Sequence, residues 1–146
     1  MLRITKVIFS YKNKISQVLV FISVMPFTSQ LIFPQSHSIM SYNIRYDNEW
    51  DKVNSWEIRK DEVIKLIHEY DPGIIGIQEG LLNQVQYIKN ALDNYDYFGV
   101  GRDDGKDKGE FCSIFYDKTR YDLQKSSTFW LSETPVSYTH LRAHET

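Results

Sequence analysis

Ile39-Met40-Ser41-Tyr42-Asn43-Ile44 and Gly73-Ile74-Ile75-Gly76-Ile77-Gln78-Glu79, with a helical pattern between them, are the runs from which the fold is read. The first alternates: Met40, Tyr42 and Ile44 share one face, and Ser41, Asn43 and Arg45 share the other. The second is apolar on both faces from Ile74 to Ile77, the pattern of a central strand covered on each side. Between them Trp56, Val63, Ile67 and Tyr70 recur at helical spacing, and Ile64 widens the stripe. Asn54 reads as the helix cap, with Glu57 three residues on completing a capping box, and Asp71-Pro72-Gly73 as the stop. A strand, a crossover helix and a strand make a βαβ unit, whose strands are expected to be parallel and its connection right-handed. Ligands of such sheets gather just outside the carboxyl ends of the strands. Asn43 and Glu79 are therefore expected to converge there, on a point suited to a hard cation.

Outward from this unit, Leu81, Val85, Ile88 and Leu92 mark a second amphipathic helix, with Asn83, Gln84, Gln86 and Lys89 on its polar side. Strand patterns follow at 95–100, 110–116 and 121–131, separated by a loop rich in glycine and charge and by the turn Asp117-Lys118-Thr119-Arg120. Helices interleave with strands early and strands follow one another later, which points to an α+β sandwich rather than a doubly wound sheet. Cys112 falls in a strand pattern and is expected to be a buried structural thiol. As the single cysteine it excludes an intramolecular disulfide and a cysteine-rich zinc site.

A chain of 146 residues suggests one domain, and 42% hydrophobic with 14% aromatic residues supports a folded core rather than wholesale disorder. A net charge of −2 and a pI of about 6.1 argue against a strongly basic surface that coats nucleic acid. They leave room for an enzyme that touches a few phosphates. Arg3, Lys6, Lys12 and Lys14 precede the apolar run 18–25 and the polar Thr28-Ser29-Gln30. Residues 1–30 thus read as a signal peptide and the protein as secreted or periplasmic; an ordinary buried element of a cytoplasmic protein is the alternative. The domain proper is expected over 31–135. Residues 136–146 fit no preceding pattern and read as an unrelated tail, a junction foreign to the domain.

Glu79 is the strongest candidate for chemistry, because a carboxylate ending an apolar strand is costly unless its charge is compensated. A divalent metal would do so, although spacing alone equally allows an acid that emerges into solvent. Asn43 by itself would suit a local Asx turn. Arg102, in the loop before Glu110, could steady a substrate phosphate or be a solvated loop arginine. His140 and His144 stand four apart but lack the intervening glutamate of a zinc-protease motif. Asp103-Asp104-Gly105-Lys106-Asp107 lacks the alternating ligands of an EF-hand and reads as a solvated hairpin loop.

Ser41-Tyr42-Asn43-Ile44-Arg45, then Trp56-x-x-Arg59, then Ile75-Gly76-Ile77-Gln78-Glu79 resemble, in that order, the opening motifs of the endonuclease/exonuclease/phosphatase family, which shares its fold with deoxyribonuclease I. Gly109-Glu110-Phe111-Cys112-Ser113-Ile114-Phe115-Tyr116 and Thr128-Phe129-Trp130-Leu131-Ser132-Glu133-Thr134-Pro135 resemble later stretches of a bacterial branch. The resemblance covers residues 39–135. It implies a four-layer α/β/β/α sandwich of which this sequence is the N-terminal portion, truncated so that the C-terminal half is missing. It also implies Mg2+- or Mn2+-dependent hydrolysis of phosphate esters, by a phosphodiesterase, nuclease or phosphatase. Glu79 matches the family's metal-binding glutamate, and Asn43 the asparagine that helps hold metal or phosphate. Glu110 matches a carboxylate that orients a catalytic histidine in some members. The substrate class implied spans nucleic acids, inositol phosphates and phospholipid head groups, acted on by a monomer with no obligate protein partner. The family's later motifs of Asp-x-Asn, Asn-x-His and terminal Ser-Asp-His type are not matched in this sequence. The expectation is therefore an inactive, poorly soluble portion of an enzyme. The rival expectation is a non-catalytic exported domain that binds a phosphorylated or carbohydrate ligand.

Overall fold

The computed structural model describes residues 3–12 and 37–130. The βαβ unit is present: β2 (Ile39–Asn43), α1 (Trp56–Tyr70) and β3 (Ile74–Gly80), with β2 and β3 parallel and Asn43 opposite Gln78. Ahead of β2 lies β1 (Arg3–Tyr11), and after β3 come α2 (Leu82–Ala91), β4 (Tyr95–Phe98), β5 (Phe111–Asp117) and β6 (Tyr121–Trp130). The main sheet has the order β2-β3-β5-β4, and β5 runs antiparallel to both its neighbours. The mixed α+β architecture is the one expected. Apart from 3–12, of which Arg3–Tyr11 forms a strand, residues 1–30 lie outside the described residues, as do 131–146 and with them the tail, His140 and His144.

Alternation along the strands sends Met40, Tyr42, Ile75, Ile77, Phe111 and Phe115 to one face of the sheet. There they meet Trp56, Val63 and Ile67 of α1 and Val85 and Ile88 of α2. Those that are fully buried contribute about 1.5–3 kcal/mol each, and Met40 and Tyr42, partly buried, less. Tyr70 leaves the stripe of α1 and is exposed. The cap also differs from expectation: it is Ser55, without a side-chain hydrogen bond. Asn54 is already committed as the last residue of a 3-10 helix, Glu49–Asn54. Glu57 therefore pairs with Lys60 (2.5 Å) instead of reaching back to a cap.

The opposite face of the sheet is less covered. β1 and β6 pair antiparallel as a separate two-stranded ribbon. It leans on that face through Phe9, whose ring lies 4.9 Å from Tyr116 of β5; within the ribbon the same ring lies 5.9 Å from Tyr121. Cys112 shares the face and is exposed, which corrects the expectation of a buried thiol. The reason is alternation: Phe111, Ser113 and Phe115 take the helix-covered side of β5, and Cys112 takes the other.

Candidate active site

The parallel register of β2 and β3 brings Asn43 and Glu79 to one end of the sheet. Simple alternation would send Glu79 to the helix face with Ile75 and Ile77. Instead its backbone is left-handed (φ 61°), and the β3–β5 pairing is irregular between Ile77 and Gly80. The side chain consequently meets Asn43, whose Nδ2 donates to Glu79 Oε1 at 2.8 Å. Asn43 Oδ1 in turn accepts from the backbone N–H of Arg45 at 2.9 Å. A non-glycine residue in this conformation costs on the order of 1–3 kcal/mol, and such outliers gather where function holds them.

The loop after β2 is fixed from two sides. The guanidinium of Arg59 donates to three carbonyls: Nε to Asn54 (2.6 Å), Nη1 to Ile44 (2.5 Å) and Nη2 to Arg45 (2.9 Å). Trp56, buried one turn earlier, seats the helix that carries it. From α2, Gln84 Oε1 accepts from the N–H groups of Asp47 (2.9 Å) and Leu81 (3.0 Å), while Nε2 donates to Arg45 O (2.9 Å). Gln84 is 0% exposed, against the expectation that it lies on a polar helix face. Its only sequence signal is position: a Gln in the first turn, spaced to reach back to the N–H ahead of the helix. Arg45 also clasps Asp51 through Nε and Nη2 (2.6 and 2.5 Å). That bond raises the pKa of Arg45 and holds the carboxyl of Asp51 below its ordinary value.

Phe111 pairs with Gly80 and bridges to Gly101, so loop 101–110 stands at the same end of the sheet as Glu79. Arg102 and Glu110 are brought together there, Nη1 donating to Oε2 at 2.8 Å. In this arrangement the carboxylate of Glu110 holds an arginine, not a histidine. Asp104 Oδ1 accepts from the N–H groups of Lys106, Asp107 and Lys108, in a hairpin loop as expected, and these bonds lower its pKa. The two described histidines are elsewhere: His37 lies 2.8 Å from the Tyr121 hydroxyl, and His68 is in the last turn of α1. Among the described residues no three His, Cys, Asp or Glu side chains converge as a metal cage. One carboxylate and one amide oxygen are nonetheless hard donors that suit magnesium, which uses one or two protein carboxylates and fills its octahedron with water and phosphate oxygens.

Residues 40–137 match the Endonuclease/Exonuclease/phosphatase family, and the chain belongs to it, with a deoxyribonuclease I-like fold. Members of this family are phosphoesterases or nucleases. Among solved structures the chain is similar to an endonuclease/exonuclease/phosphatase from Bacteroides vulgatus, at 46% identity and a TM-score of 0.62, covering 68% of this chain and 38% of that one. It is similar also to a mannosyl-6-phosphatase from Bacteroides thetaiotaomicron, at 44% identity and a TM-score of 0.65, covering 69% and 39%. The Ccr4 3'-5'-exoribonuclease subunit of the CCR4-Not complex of Mycosarcoma maydis is 27% identical over 110 residues, 61% of this chain and 16% of that protein. The chain thus spans well under half the length of the relatives it matches.

Proposed function

We propose that this chain supplies the metal-binding end of a phosphate-ester hydrolase, with Glu79 as ligand to Mg2+ or Mn2+ and Asn43 beside it. One observation carries the reading: an asparagine and a glutamate from neighbouring parallel strands meet at 2.8 Å across a left-handed backbone. A bound divalent ion would polarise a phosphoryl oxygen and stabilise the leaving oxygen. Asn43 orients the carboxylate of Glu79, and Arg45 N–H fixes the rotamer of Asn43. Arg59 and Gln84 hold the loop that presents Arg45. The 44% identity to a mannosyl-6-phosphatase supports a sugar phosphate as substrate over RNA.

Hydrolysis also requires a base to activate water. The described histidines, His37 and His68, stand elsewhere, and for the chain by itself we propose binding of metal and phosphate without turnover. The second reading is a binding domain without catalysis, which the paired Asn43 and Glu79 would serve equally well. Magnesium titration by calorimetry tests the site. Glu79→Gln is expected to abolish binding and Asn43→Ala to weaken it about 10–100-fold, with the circular dichroism of the parent retained. Magnesium affinity unchanged in Glu79→Gln would overturn the assignment. Hydrolysis of a sugar phosphate by the 146-residue chain would exclude the second reading and the proposed lack of turnover.

A further inference from the structure

We propose that Trp50, one residue before the Asp51 that Arg45 clasps, forms a subsite for the ring-bearing part of a phosphate ester, a sugar or base stacking on the indole. This rests on the phosphoesterase reading and names the part of the substrate which that reading leaves open. Trp50 is 83% exposed, whereas Trp56, six residues on, is 2% exposed. A tryptophan carries one of the largest apolar surfaces of any side chain, and a folded chain ordinarily covers it. The segment around Trp50 is tied down: Asn48 Oδ1 accepts its backbone N–H (3.0 Å), and the next residue, Asp51, is clasped by Arg45. Ser55 N–H donates to Lys52 O (3.1 Å) across a backbone with positive φ at Lys52. Those ties run through neighbouring groups and leave the indole presented to solvent, with Val53, three residues on, 76% exposed as well.

The position is as informative as the exposure. Asp51 holds the guanidinium of Arg45, and the N–H of Arg45 holds Asn43, which holds Glu79. Two residues thus link the neighbour of Trp50 to the carboxylate proposed to bind metal. An indole face takes the flat or apolar face of a ring, and the bonds from Asp51 through Arg45 and Asn43 tie that face to the carboxylate proposed to hold the metal and, through it, the phosphate.

The chain is titrated in magnesium with glucose 6-phosphate, adenosine 5′-monophosphate and inorganic phosphate, followed by indole fluorescence and by heat. At least one ring-bearing ester is expected to bind about tenfold more tightly than inorganic phosphate, and the two arms tell sugar from base. Trp50→Leu is expected to remove that advantage and leave inorganic phosphate unchanged, while Trp50→Phe keeps most of it. The exposed position means that neither variant should alter the circular dichroism. Ring-bearing esters that bind no better than phosphate, or an advantage that survives Trp50→Leu, overturn the proposal. Glu79→Gln separates it from the reading beneath: loss of all three ligands there upholds the metal site whatever Trp50 does. Three unchanged affinities in Glu79→Gln would remove that site while leaving the dependence on Trp50 measurable.

Discussion

Gln84 stands on a helix face that reads as polar, yet its amide is enclosed and serves three backbone groups around the loop after β2. Removing it leaves the N–H groups of Asp47 and Leu81 and the carbonyl of Arg45 without that partner. Gln84→Ala is therefore expected to destabilise the fold by about 1–3 kcal/mol, read as a lower urea midpoint at unchanged slope. Asn43 and Glu79 were legible because each ends a recognisable strand pattern and the crossover rule brings those ends together. Gln84 was not, since a hydrophobic stripe classes every amide beside it as solvent-facing. Cys112 shows the converse: residue type suggested burial, and alternation within β5 decided otherwise.

At the scale of elements, α1 is both a wall of the core and the clamp on the loop that carries the candidate site. Trp56 and Arg59 stand three positions apart on the helix; one side chain is buried while the other reaches three carbonyls. A lysine is a point charge on a flexible stem and cannot reproduce that fork. Arg59→Lys is expected to lower stability by about 1–3 kcal/mol and to weaken magnesium binding in the same calorimetric titration. The helix itself was plain from its period. The 3-10 helix before it was not, because six residues with no buried member leave no apolar rhythm to find. Asn54 therefore reads as a cap in the sequence, while in the structure the cap is Ser55.

Across the whole molecule, the end opposite the candidate site is held by aromatic residues and their hydroxyls. Tyr95 donates to Pro72 O, and burial pushes its pKa up to about 12; burial raises those of Tyr116 and Tyr121 as well. Each phenol is harder to ionise folded than unfolded. The stability they contribute is complete below the unfolded value of 10.0 and is lost as the pH rises from there toward about 12. Urea midpoints taken from pH 8 to 12 are expected to be flat and then to fall, and Tyr95→Phe to fall less. The strand pattern of β6 was legible, but its pairing with β1 was not. The two strands pair across more than a hundred residues, a distance over which local patterns carry no information. Three of the four non-glycine residues with positive φ among the described residues, Arg45, Lys52 and Glu79, lie at the other end, by Asn43. Glycine would relieve each of them. Under selection for stability alone, these three positions should drift first, and the protein would grow sturdier as it did so. Their persistence in a lineage would therefore be a record of work being done there, readable without an assay.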